Sequence, residues 1–200
     1  MDRIKAYFKS KSTWWFVSNS IFIIALLILL IPASRYYVMS MFFPSPEIIQ
    51  KDEAKSLTEE ELNFEVFSTK GERLNIKDLL DKPIFVNVWA TWCGPCVAEF
   101  PEIERLHNDY GNKVEFIILS FEEFKKIFDF RKRKGFKFHM HANVSGASGI
   151  WNIQAYPTSF IISKTGKIRA YQKGAGKWNN SEVRQLLDEL IAEKSLSQKN

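Results

Sequence analysis

The chain has 200 residues, 46% of them hydrophobic, with 28 Lys and Arg against 23 Asp and Glu for a net charge of +5. That length fits one domain plus appendages, and that charge is too small to point to nucleic acid. Two cysteines exclude a disulfide-built scaffold and fall short of a Cys-based zinc site.

Residues 1–13 are basic and polar: Arg3, Lys5, Lys9 and Lys11 oppose only Asp2. From Trp14 to Ser34 no residue is charged, and Ile21 to Ile31 is continuously apolar. As a helix this stretch spans about 30 Å, the thickness of a bilayer's hydrocarbon core. Trp14 and Trp15 at one end and Tyr36 and Tyr37 at the other suit the two interfaces. The expectation is a single-pass transmembrane signal-anchor over 14–34, with the N-terminus in the cytoplasm and the rest outside it. A cleaved secretory signal also has such basic and apolar regions, although Ile31-Pro32-Ala33 makes a poor cleavage site. A buried core helix is a third reading. The first two agree that the folded domain is extracytoplasmic. Residues 35–61, from Pro44-Ser45-Pro46 to Glu59-Glu60-Glu61, are expected to form a solvated, partly helical linker.

A folded domain is expected over 62–192. Phe64 to Phe67 alternates like a half-buried strand, Lys70-Gly71 signals a turn, and Glu72 to Leu74 can pair back as a hairpin. Ile76 to Leu80 reads as a short helix. Pro83 to Trp89 is apolar on both faces except Asn87, which predicts a central strand. Cys96 to Tyr110 reads as a helix that Pro101 should kink. Val114 to Ser120 is a strand, Phe121 to Lys134 an amphipathic helix, and Phe136 to Ala142 a strand. Gly149 to Ile153 is a helical turn. Thr158 to Ile162 and Lys167 to Lys173 are strands joined by a turn at Lys164-Thr165-Gly166. Ser181 to Ala192 is a final amphipathic helix, and 193–200 a frayed tail. Alternating β and α predicts a largely parallel sheet with helices on both faces and antiparallel strands added.

Cys93 and Cys96, in Trp92-Cys93-Gly94-Pro95-Cys96, lie where the central strand gives way to a helix. A helix N-terminus presents unpaired N–H groups and partial positive charge, both of which favour the reactive thiolate. An inert structural disulfide or a metal site are the alternatives for such a pair. Cys93, at the helix end, is expected to be the attacking and more exposed sulfur. Glu99 follows Cys96 by three residues, so the two are neighbours on the helix surface. A partly buried carboxyl there can take up or deliver the Cys96 proton; an ordinary first-turn Glu is the alternative. His139 and His141 alternate on one strand face, which permits a metal site without an evident third ligand; packing or solvent-facing roles fit them better. Arg131 to Lys134 reads as a solvated helix end or, alternatively, a docking face for an acidic partner. Trp89 reads as core.

Phe85 to Cys96, Tyr156-Pro157-Thr158 and the hairpin and helix that follow resemble the thioredoxin fold. The pattern Trp-Cys-x-x-Cys-x-x-Glu-x-Pro, here Trp92 to Pro101, is similar to that of the TlpA/ResA-like branch of membrane-tethered thiol-disulfide oxidoreductases. Residues 64–74 and about 121–142 match that branch's added hairpin and insertion, and the resemblance covers about residues 60–192. It implies a redox-active Cys93–Cys96 disulfide with no other cofactor, and the same proton role for Glu99. It also implies a cis-Pro157 facing the cysteines, with Tyr156 offering backbone hydrogen bonds to an extended partner. Thioredoxins proper carry Asp where this chain has Asn87, which leaves Glu99 as the nearest proton acceptor. Gly94-Pro95 between the cysteines resembles reducing thioredoxins, and Trp92 would join the docking surface. The implied activity is reduction of disulfides in exported proteins, such as apocytochromes before haem attachment, with electrons from a membrane thiol reductase. A disulfide oxidase or isomerase, and a non-catalytic tethered module, are the alternatives.

Overall fold

The computed structural model of the chain describes residues 13–30 and 38–193. The first helix, α1 (Thr13–Leu30), carries no charged residue, and the side chains of Ser18 and Asn19 turn back onto the Trp15 carbonyl. Ile21, Phe22, Ile23, Ile24, Leu26 and Leu27 are exposed on it. Among the described residues no helix is long and apolar enough to cross a membrane. The span expected over 14–34 runs in part through 31–37, which lie outside the described residues, as do residues 1–12 and 194–200 of the expected tails.

Eight strands form one sheet: β1 (Glu47–Ile48), β2 (Glu65–Ser68), β3 (Arg73–Asn75), β4 (Ile84–Trp89), β5 (Glu115–Ser120), β6 (Met140–Asn143), β7 (Thr158–Ile162) and β8 (Ile168–Lys173). Their order across the sheet is β1-β8-β7-β4-β5-β6-β2-β3. The β4–β5 and β5–β6 pairs are parallel; all other neighbours are antiparallel. The fold is thus the thioredoxin-like α/β arrangement with a mixed sheet and the expected β2–β3 hairpin. The helices of the domain are α2 (Glu59–Leu62), α3 (Gly94–Tyr110), α4 (Phe124–Lys134) and α5 (Ser181–Ala192), with 3-10 turns at Ile76–Leu79 and Gly149–Trp151.

All six residues of β4 are buried, and the pleat divides them between two cores. Phe85 and Trp89 pack with the cluster under α3 and α5; Ile84, Val86 and Val88 pack with the one on the opposite face. Asn87 shares the pleat side of Phe85 and Trp89, so its amide is sunk into the face covered by α3. Its partner across the antiparallel β4–β7 ladder is Ser159. Helix α3 continues through Pro101, which is exposed.

Three stretches differ from their sequence-based expectations. The solvated linker is partly stitched to the sheet. Glu47 and Ile48 pair with Tyr171 and Ala170, the Ile49 N–H donates to the Arg169 carbonyl at 2.9 Å, and Ser56 bridges Lys167. Ala54 and Leu57 are buried, and Thr58 and Glu61 form a capping box on α2. The strand expected at Phe136 starts only at Met140, because Phe136 and Phe138 turn inward and both meet Phe100 of α3 edge-on. Helix α4 starts at Phe124 rather than Phe121, because Glu122 is turned back toward Thr91.

Candidate active site

The loop after β4 delivers Cys93 to the N-cap of α3, where its Sγ accepts from the Cys96 N–H at 3.2 Å. Cys93 and Cys96 form a disulfide with the Cα atoms 5.3 Å apart. Both cysteines are buried, but unequally: Cys93 is 5% exposed and Cys96 0%. Cys93, the sulfur expected to be the more exposed, is so by a small margin. Gly94 and Pro95 form the first turn of α3, with nothing within 4 Å of the position a Gly94 Cβ would take. Trp92, next to Cys93 in the chain, is 69% exposed.

The Tyr156–Pro157 peptide is cis, as the resemblance implied. Pro157 is buried, and its carbonyl accepts from the Gly174 N–H at 2.8 Å. The hydroxyl of Thr158 donates to the Ala155 carbonyl at 2.8 Å and closes the turn. The half-buried Tyr156 ring meets Trp92 edge-to-face at 5.6 Å, which brings the cis-Pro157 turn up to the segment carrying the cysteines.

Glu99 lies one turn into α3 from Cys96 and is wholly buried. Its Oε1 accepts from Asn87 Nδ2 at 2.6 Å, and its Oε2 accepts from the Gly176 N–H at 3.0 Å. Asn87 Nδ2 also donates to Ser159 Oγ at 2.7 Å. Burial is the largest influence on this carboxyl and pushes its pKa up to about 8. The Gly176 and Asn87 hydrogen bonds oppose the rise, Glu102 adds to it, and the Trp178 indole opposes it. The Trp178 N–H is itself buried without a well-formed hydrogen bond. Burial therefore favours the neutral form of Glu99 and brings its ionisation toward the pH at which thiols ionise. This is no ordinary first-turn glutamate, whose carboxylate would sit ionised in solvent.

A residue not singled out from sequence completes the site. Glu122, between β5 and α4, accepts from the Thr91 N–H at 2.6 Å and the Thr91 hydroxyl at 2.9 Å, and pairs with Lys126. Burial works against its charge, but the Lys126 and Thr91 hydrogen bonds outweigh it and hold the pKa below the usual value. A carboxylate thereby pins the backbone two residues before Cys93. Sequence offered no signal for it, because the contact spans 31 residues.

The histidines lie elsewhere. His141 is buried on β6, and burial, reinforced by the charge of His139, pushes its pKa down to about 3 against the hydrogen bond to Ile118. Among the described residues no group of three or more His, Cys, Asp and Glu side chains is placed to hold a metal ion.

Residues 57–171 match the family model for AhpC/TSA proteins. The chain belongs to the AhpC/TSA family. This AhpC/TSA protein is 32% identical over 151 residues to a thiol-disulfide oxidoreductase ResA of Bacillus cereus, a match covering 74% of this chain and 84% of that protein. It is 28% identical over 146 residues to ResA of Bacillus subtilis, covering 72% and 78%. In fold it is similar to a DsbF homologue from Corynebacterium diphtheriae, with a TM-score of 0.57 and 18% identity over 73% of this chain and 93% of that one. It is a ResA/TlpA-like thiol-disulfide oxidoreductase, as the ten-residue motif implied.

Proposed function

We propose that the protein is a membrane-tethered, extracytoplasmic reductant of disulfides in exported proteins, apocytochromes awaiting haem among them. Cys93, the more accessible sulfur, attacks the partner disulfide as thiolate. One partner sulfur leaves with the electron pair of the broken S–S bond, and a mixed disulfide with Cys93 forms. Cys96 then attacks Cys93, releasing the second partner sulfur as thiolate and closing the Cys93–Cys96 disulfide. In its ionised form, which a pKa brought up toward the thiol range keeps in exchange with the neutral acid, Glu99 takes the Cys96 proton in the second step. A membrane thiol reductase returns two electrons and opens the disulfide again.

The observation that carries this reading is the pairing of a helix-capping disulfide with a neutral, wholly buried carboxyl one turn beneath it. Trp92 and Tyr156 offer an aromatic rim, and the cis-Pro157 turn an extended edge, for a partner chain. The Gly94-Pro95 dipeptide supports the reducing direction. Support for the tether is the uncharged, mostly apolar α1, with Ile21, Phe22, Ile23, Ile24, Leu26 and Leu27 exposed, and the basic flank before it.

The test is Cys96→Ser expressed in cells. It should accumulate mixed disulfides through Cys93 with exported proteins, identified by mass spectrometry in the membrane fraction. An absence of adducts, or adducts with cytoplasmic proteins alone, would sink the reading. The reduction potential of the purified protein should lie near the thioredoxin value of about −270 mV; one near the strong-oxidant value of about −120 mV would reverse the direction.

A further inference from the structure

When protonated, the Glu99 carboxyl donates a hydrogen bond from its O–H, and its surroundings offer few acceptors. Its Oε2 already takes the Gly176 N–H at 3.0 Å, which leaves Oε1 as the oxygen suited to carry the proton. Oε1 is 2.6 Å from the end of the Asn87 amide, and that same amide atom is 2.7 Å from the Ser159 hydroxyl. With Nδ2 at this point, Asn87 donates to both, which suits an ionised Glu99. Its Oδ1 then lies buried without a donor. With Oδ1 at this point, the amide accepts from the Glu99 O–H and from the Ser159 O–H, and the buried acceptor gains two donors. Both separations fall within the ordinary O–H···O range and at the short edge of the N–H···O range. The two ends of a terminal amide exchange by a half turn of the last torsion and differ only in donor and acceptor character.

We propose that Asn87 is a reversible positioning residue for Glu99, its amide presenting Oδ1 to the neutral acid and Nδ2 to the carboxylate and turning over as the proton leaves and returns. The proposal rests on the reading of Glu99 as the site's proton acceptor. Its physical content is that a hydrogen bond survives in both protonation states inside a pocket that water does not reach. A neighbouring carboxyl in place of the amide would instead share one proton with Glu99 as a coupled pair. The other groups facing Glu99 are neutral, namely Gly176 and Trp178 before α5, except Glu102 on its own helix, whose charge favours the acid. The hydroxyl of Ser159, fixed opposite Asn87 by the β4–β7 register, turns with the amide and donates or accepts as required.

The test uses the oxidised, full-length, isotope-labelled protein in detergent micelles. Nuclear Overhauser contacts between the Asn87 side-chain amide protons and the Ser159 β-protons are followed from pH 6 to 10, alongside the Glu99 carboxyl carbon shift. The contacts should be strong above the Glu99 midpoint and lost below it. Contacts that persist unchanged through the midpoint overturn the proposal. Asn87→Leu supplies a second readout. The carboxylate loses a stronger, charge-assisted bond than the acid does, so the Glu99 midpoint should rise by about one pH unit. An unmoved midpoint also overturns the proposal. Neither measurement involves thiol exchange, so an inert disulfide would fell the functional reading without affecting these results, and a fixed amide would leave the exchange chemistry standing.

Discussion

Glu61 and Glu99 are both carboxyls sunk into this domain, yet one is held charged and the other neutral. Burial pushes both pKa values upward and is the largest influence on each. Glu61 is outweighed in the other direction: it receives the Thr58 N–H at 2.9 Å and the Ile150 N–H at 3.0 Å, and Lys55 lies close enough to favour its charge. Its pKa falls below the usual value. Glu99 sits at full depth with a neutral amide, one backbone N–H and a like-charged neighbour, and burial wins. Depth alone therefore does not decide whether a buried carboxyl is a structural anchor or a chemical group. The balance of donors and charges against desolvation decides it. Glu61 ties α2 to the 3-10 turn at Gly149–Trp151, where a Cβ on Gly149 (φ +52°) would come within 2.6 Å of its Oε1. Glu99 sits beneath the disulfide with a proton to lose.

Removing the ionisable group at Glu99 should have the largest effect. Glu99→Gln should slow disulfide exchange by about 100-fold or more and abolish the step near pH 8 in the pH–rate profile. The same variant tests stability. The folded state keeps a proton on Glu99 that the unfolded chain releases, so the Glu99 contribution to stability should be lost as pH rises from about 4.5 toward 8, read as the difference between wild type and variant because buried His141 titrates in the opposite sense. The loss is on the order of 5 kcal/mol for a shift of this size. Urea melts of oxidised wild type and Glu99→Gln should therefore diverge over that interval, the wild type losing ground to the variant as pH rises; a difference that does not change with pH would mean that Glu99 does not carry it.

Glu61→Gln should behave in the opposite sense. A group with a lowered folded pKa stabilises above its unfolded value, and that stability is lost as pH falls through the folded value. The variant should cost about 1–3 kcal/mol at neutral pH through its unsatisfied buried donors, while the thiol pH–rate profile stays where it is. A displaced profile would show that the two carboxyls are not separable. The smallest effect should come from Glu122→Gln, which weakens a charge-assisted clamp on Thr91 without removing it. A loss of about 1 kcal/mol, roughly fivefold in exchange rate, is expected with little change in melting. A rate drop as large as that of Glu99→Gln would move Glu122 into the reaction itself.

How much of this was legible in the sequence depended on how local the cause was. The apolar run of β4, the cysteine spacing and the Glu99 offset are written within a few residues, and each landed in place. The cis Tyr156–Pro157 bond was available only through resemblance, since local sequence seldom specifies it. Glu122 was missed because its partner Thr91 is 31 positions away, and the Glu61 contact to Ile150 spans 89. Strand β1 was missed for a related reason. Two residues carry no periodicity, and what makes them a strand is the free edge of β8. Phe136 and Phe138 read as strand because aromatic alternation is a strand signal; their destination, beside Phe100, is set by α3.

The β1–β8 pairing also sets a working radius. With the domain pinned at Glu47, the chain between Leu30 and the sheet can stretch no further than about 60 Å. A free connector lasting to Leu62 would have allowed about 110 Å. Stitching residues 47–57 to β8 therefore nearly halves the reach of the disulfide from wherever α1 is held, and partners outside that shell must come to it.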